Sequence, residues 1–155
     1  MTSLRRIFVY GTLTSGGPGH HRLTTAPCGI HEARTRGLLY ALPEGYPALV
    51  DGEGDVWGEL VEFEDTLSEG AWSRTLARLD DYEGYAGPGH PANLYERRVV
   101  RAVSTAGAAV SAWAYVYAIP ERARLLGTPI PHGDWRRYLS ECHRRSRTTR
   151  KGPPR

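Results

Sequence analysis

Arg6-Ile7-Phe8-Val9-Tyr10-Gly11-Thr12-Leu13-Thr14-Ser15-Gly16-Gly17-Pro18-Gly19 is the stretch from which the architecture is read. Its first five residues, apolar from Ile7 onward, read as a buried strand, and glycine ends it at once. Gly11 to Gly16 has the GxxxxG spacing of a phosphate-binding loop, but Gly17-Pro18 follows where that motif needs Lys and Ser or Thr. A GxGxxG dinucleotide fingerprint is absent as well. What remains is a strand opening into a tight glycine turn. Consecutive backbone N–H groups in such a turn can form a nest for a carboxylate or carbonyl oxygen. A plain strand-end turn fits the residues equally well.

Outward from this stretch the chain alternates short extended segments with turn signals. His20–Thr25 reads as a helical turn, and residues 29–40 as one or two strands. Pro43, Gly45 and Pro47 predict a loop carrying Tyr46-Pro47-Ala48-Leu49-Val50. Asp51-Gly52-Glu53-Gly54 predicts a turn, and residues 55–63 a strand whose Glu59 faces either inward or an open edge. Leu94–Ser104 and Val110–Ile119 read as a hairpin around Thr105-Ala106-Gly107, stopped by Pro120. A last helix begins at Asp134-Trp135. Many strands and few helices, without regular βαβ alternation, predict an α+β fold.

The main helix is predicted over residues 67–82. Thr66-Leu67-Ser68-Glu69 has the form of a capping box, with Thr66 as N-cap. Trp72, Leu76 and Leu79 form an apolar stripe, and the next position on it is Glu83. Gly84 then supplies a stop. A carboxyl on the buried stripe at a helix C-terminus is disfavoured as an anion by desolvation and by the helix dipole. A pKa raised in this way suits acid–base work near neutrality. If the helix frays early, Glu83 is an ordinary surface acid.

The length of 155 residues fits one domain with a hydrophobic core. No apolar run is long enough to span a bilayer, and the first residues lack a secretory segment, so a cytoplasmic location is expected. Cys28 and Cys142 make neither a disulfide framework nor a zinc ligand set, and the six histidines show no HExxH. Neither metal nor cofactor is expected. Charge is unevenly placed: residues 136–155 carry 8 Lys/Arg and 1 acid, whereas the rest is net −4. The domain is therefore set at 1–143, and 144–155 is read as a basic, disordered end. Such an end could touch a polyanion nonspecifically, but no aromatic residues are interleaved with its charges to stack on bases, so no specific nucleic-acid partner is expected.

Four segments in order raise the reading from pattern to family. They are Val9-Tyr10-Gly11-Thr12-Leu13, Gly45-Tyr46-Pro47-Ala48-Leu49-Val50, Leu79-Asp80-Asp81-Tyr82-Glu83-Gly84 and Tyr95-Glu96-Arg97-Arg98-Val99; Trp113-Ala114-Tyr115-Val116-Tyr117 adds a fifth. Over residues 5–140 the chain resembles the γ-glutamylcyclotransferase-like superfamily. It is most similar to the branch of AIG2-like proteins, γ-glutamylamine cyclotransferases and the enzyme that removes a γ-glutamyl protecting group in butirosin biosynthesis.

The resemblance implies a small mixed β-barrel flanked by a few helices, with a pocket at one mouth. It implies that Tyr10, Gly11, Thr12 and Leu13 bind the γ-glutamyl group, largely through backbone N–H, and that Glu83 is the catalytic glutamate. Tyr46, Tyr95 and Tyr117 are candidates for lining the pocket, or are packed barrel tyrosines with satisfied hydroxyls. Arg97 is a candidate for the substrate carboxylate or for a structural ion pair. Gly19-His20 stands where relatives often carry Asn-His, and residues 85–95 are rich in Gly and Pro. Both departures bear on which amine leaves.

The implied reaction closes an L-γ-glutamyl amide onto its own α-amine, giving 5-oxoproline and a free amine. Hydrolysis or transfer of the γ-glutamyl group, a non-catalytic binding module on the same fold, and polyanion binding through the basic end stay open as alternatives. Oligomeric state is left open. So is the choice between housekeeping turnover and a biosynthetic pathway such as that of an antibiotic.

Overall fold

The computed structural model describes residues 4–23 and 27–150, with side chains to residue 147. Six strands run β1 (Arg6–Val9), β2 (Gly29–Ala41), β3 (Pro47–Glu62), β4 (Tyr95–Ser104), β5 (Ala109–Tyr117) and β6 (Thr128–Pro129). Three α-helices join them: α1 (Glu69–Glu83), α2 (Pro120–Leu126) and α3 (Trp135–Arg150). The hydrogen-bonded order is β3-β1-β5-β4-β2, and β2 pairs back onto β3, so five strands close a barrel with β6 appended to β2. Among the pairings of these described strands, only β1–β5 is parallel, with Ile7 opposite Trp113. Closure leaves no free edge along the barrel wall. The expected α+β class and small mixed barrel flanked by helices are what the chain forms.

Alternation along β1 divides the core in two. Ile7 and Val9 join a cluster with Val61, Phe63, Trp72, Leu79 and Tyr115, so α1 packs on that side. Phe8 and Tyr10 join another with Leu60, Ala112, Ala114 and Trp135, against α3. Trp72 and Leu79 are fully closed off and each contributes about 1.5–3 kcal/mol by burial.

Several local expectations are corrected. Residues 47–50, expected in a loop, and the turn expected at residues 51–54 are the start and the middle of the single strand β3, paired with β2 across a register shift between Arg36 and Leu38. Its glycine at 52 answers to space: a Cβ there would lie 2.3 Å from Leu38 Cγ. Helix α1 is capped by Ser68, whose Oγ accepts the Ala71 amide at 3.1 Å, and not by Thr66. Glu69 is the first residue of the helix and pairs with Arg5. Pro120 stops β5 and also sits in the first turn of α2, a helix the sequence pattern did not reveal. His20–Arg22 is a 3-10 turn, and residues 24–25 of the expected turn lie outside the described residues. At the end of the chain, residues 144–150, expected to be disordered, continue α3; residues 151–155 lie outside the described residues. Among the described residues no helix is long and apolar enough to cross a membrane.

Candidate active site

A cavity of about 210 Å³ opens where β1 and β5 end and β3 and β4 begin. Phe8, Val9, Tyr10, Gly11, Thr12, Leu13, Tyr46, Pro47, Tyr82, Glu83, Leu94, Tyr95 and Tyr115 line it. The volume falls below the usual range of drug-sized pockets and suits a group the size of one amino acid. Tyr46 and Leu94, each more than half exposed, mark its mouth.

The glycine loop forms one wall. Thr14 folds back on Gly11, donating to its carbonyl from both the amide (3.1 Å) and the hydroxyl (2.6 Å). Gly19 N–H closes the loop onto the Thr12 carbonyl at 2.7 Å, and His20 Nδ1 stands 2.9 Å from the Leu13 carbonyl. Position 11 must be glycine because a Cβ would fall 2.5 Å from Pro47 Cγ. The amides of Gly11, Thr12 and Leu13 donate to no acceptor among the described residues. Gly11, Thr12 and Leu13 all line the cavity, so this run of N–H donors lies beside it.

Helix α1 brings Glu83 to the same cavity. Gly84 adopts the left-handed conformation (φ 64°, ψ 43°), and the Tyr85 amide caps the Asp80 carbonyl at 2.8 Å, so the helix ends at Glu83 itself. Glu83 is partly buried in the cavity wall. Burial pushes its pKa up from 4.5 to about 7. No cation lines the cavity, and among the described residues nothing donates a hydrogen bond to this carboxyl.

Four of the tyrosines around it are committed elsewhere. Tyr10 donates to the Tyr115 carbonyl (2.6 Å) and Tyr95 to the Pro47 carbonyl (2.7 Å). Tyr115 donates to Asp80 (2.7 Å) and Tyr82 to the Thr12 hydroxyl (2.8 Å). Burial raises the pKa of Tyr10, Tyr95 and Tyr115, so all three stay neutral. Tyr117 is not in the cavity wall: its ring packs edge-on against Tyr95 at 5.4 Å, and its oxygen accepts from Arg122 at 3.0 Å. Arg97 makes an ion pair, 3.0 Å from Asp80, between the rings of Tyr85 and Trp113, and does not line the cavity.

Of the residues singled out in the sequence, Tyr10, Gly11, Thr12, Leu13, Tyr46, Glu83 and Tyr95 are thus brought together, and Tyr117 is set behind them. Tyr82, Tyr115 and Leu94 were missed. Tyr82 adjoins Glu83 and could have been inferred from that; nothing local distinguishes Tyr115 from Tyr117. No group of three or more His, Cys, Asp or Glu among the described residues could hold a metal ion, and Cys28 and Cys142 are both free thiols.

This barrel, with a glycine loop facing an isolated glutamate, is matched by known proteins. The family model "Gamma-glutamyl cyclotransferase, AIG2-like" matches residues 7–137, so the chain belongs to that family. It is 35% identical over 132 residues to the gamma-L-glutamyl-butirosin B gamma-glutamyl cyclotransferase of Niallia circulans, covering 85% of this chain and 76% of that protein. It is 37% identical over 103 residues to human gamma-glutamylaminecyclotransferase, covering 61% of this chain and 60% of the human one. The crystal structure of a mouse AIG2-like protein superposes with a TM-score of 0.62 at 26% identity, covering 85% of this chain and 88% of that one.

Proposed function

We propose that the protein is a γ-glutamyl cyclotransferase that converts an L-γ-glutamyl amide to 5-oxoproline and a free amine, with Glu83 as its general acid and base. The observation that carries this reading is a carboxyl of raised pKa in the same small cavity as the uncommitted amides of Gly11, Thr12 and Leu13. The reaction is intramolecular, so a cavity that holds the glutamyl group folded supplies much of the rate by proximity. Ionised Glu83 takes a proton from the α-ammonium. The freed amine attacks the γ-carbonyl carbon, and negative charge collects on the carbonyl oxygen. Fixed N–H donors of the loop stabilise that charge without reorganising. As the C–N bond to the leaving amine breaks, protonated Glu83 gives its proton to that nitrogen, and the regenerated carboxylate then passes the second proton of the ring nitrogen to the freed amine, leaving neutral 5-oxoproline and an ammonium ion. A pKa near 7 lets one group serve both steps.

Tyr10, Tyr82, Tyr95 and Tyr115 act as walls in this reading, because their hydroxyls already have acceptors within the protein. The leaving amine passes out between Tyr46 and Leu94. Its class follows the relatives: the amine of a γ-glutamylamine or of a γ-glutamyl-protected metabolite.

The test is release of 5-oxoproline from γ-glutamyl amines, γ-glutamyl dipeptides and γ-glutamyl aminoglycosides, with Glu83→Gln beside the wild type. Release by the wild type alone supports the reading and identifies the amine. Release of glutamate instead would make the protein a hydrolase, and no product from a folded wild type would leave a binding module.

A further inference from the structure

Glu59 is a second carboxylate that the barrel closes off from water, at 6% exposure, and it lies outside the cavity wall. On β3 it is paired with Val9 on one side and Glu32 on the other. Its Oε1 accepts the Ser15 amide at 2.5 Å. Its Oε2 faces Arg136 Nη1 at 3.9 Å, and that guanidinium is fixed by two 2.8 Å bonds to Glu32. Arg136 itself comes from the first turn of α3, which is set by Asp134 accepting the amides of Arg136 and Arg137. Ser15 directly follows Thr14, which closes the turn on Gly11. The Ser15 amide is therefore a tie between the turn that carries the amides of residues 11–13 and the barrel wall.

We propose that Glu59 and Arg136 are positioning residues for the substrate-binding amides. Glu59 anchors the loop through Ser15, and Arg136 supplies the counter-charge that lets a carboxylate be buried there. This rests on the cyclotransferase reading of the cavity. Neither side chain touches substrate. Their effect is to hold the Gly11–Leu13 donors in register with Glu83, where displacement by about 1 Å can cost up to about a hundredfold in rate. The C-terminal helix thereby becomes part of the catalytic architecture, although it lies against the other core cluster.

The decisive measurement is kcat and KM for 5-oxoproline release from one amide that the wild type turns over. It compares Glu59→Ala, Glu59→Gln, Arg136→Met and the double variant Glu59→Gln/Arg136→Met, each with a thermal melt. Glu59→Ala should lose at least about tenfold in kcat/KM. Glu59→Gln should stay within about threefold, because a neutral amide oxygen still accepts the Ser15 N–H and needs no counter-charge. Arg136→Met should cost about tenfold in the wild-type background and almost nothing in the Glu59→Gln background, where no buried charge is orphaned. Wild-type kcat/KM in folded Glu59→Ala would overturn the proposal, as would an equal loss from Arg136→Met in both backgrounds. If Glu59→Ala does not fold, the comparison of Arg136→Met across the two backgrounds decides alone. A wild type that releases no 5-oxoproline from any amide would instead overturn the reading on which the proposal rests.

Discussion

Two glutamates lose water at this end of the barrel, and the protein treats them oppositely. Glu59 is given an amide donor and a nearby guanidinium. Glu83 is given neither, and the tyrosines that surround it turn their hydroxyls to other acceptors. A buried carboxylate with donors can remain charged and hold structure. One without donors must keep its proton to a higher pH, which fits it for proton transfer. Role here follows from partners, since both residues are glutamates in the same fold.

The largest effect that could break this contrast is on chemistry. Glu83→Gln should lower 5-oxoproline release by about 10²- to 10⁴-fold while circular dichroism and melting remain those of a folded protein. Activity within tenfold of wild type would move the acid–base role away from Glu83. The raised pKa makes a second prediction: kcat/KM should rise with pH along a limb near 7 as Glu83 ionises. A limb near 4.5 would mean that the carboxyl is solvated.

Stability sharpens the same point, and its sign is fixed. Below pH 4.5 both folded and unfolded chains hold the Glu83 proton, and the residue contributes no pH dependence. Between 4.5 and about 7 the folded protein keeps a proton that the unfolded chain has released, so stability falls as pH rises and then levels off. Glu83→Gln lacks this decline. Its stability relative to wild type should therefore grow from pH 4 to pH 8 by at most about 3 kcal/mol, measured by denaturant melts. No growth would show that Glu83 ionises as freely folded as unfolded.

Smaller effects test the supports. Tyr115→Phe removes a donor from half-buried Asp80 and should cost about 1–3 kcal/mol of stability. Ser68→Ala, at the far end of the helix that carries Glu83, should cost about 1 kcal/mol. Tyr117→Phe should leave kcat/KM within about twofold, because the lost contact is with Arg122 and lies behind the cavity. A tenfold loss there would put the Tyr117 hydroxyl in contact with substrate.

Much of the site was legible because its parts are local. A strand running into Gly11 declares a turn without any tertiary information, and the stripe Trp72, Leu76, Leu79 points to Glu83 once Gly84 marks the stop. Elsewhere local signals misled for one shared reason. Gly52 and Gly54 look like a turn because glycine permits one, yet they are there because β2 passes too close for a side chain. Thr66 and Ser68 are both good caps, and the choice between them falls to the docking of Arg5 on Glu69 and on the carbonyl of Leu67. Tyr115 and Tyr117 are equivalent by period two, and only the position of Asp80 on α1 draws the first toward the cavity.

The sequence by itself determined the class, the run of amide donors after β1, and the carboxylate on the last turn of α1, because strand ends, glycine turns and helical periodicity act over a few residues. Only the tertiary structure decided that these two face one cavity, that the tyrosine hydroxyls are already committed, and that Glu59 is anchored while Glu83 is left alone. Those outcomes depend on which distant groups come within about 3 Å, and a hydrogen bond or a desolvation exists only once barrel closure has brought its partners together.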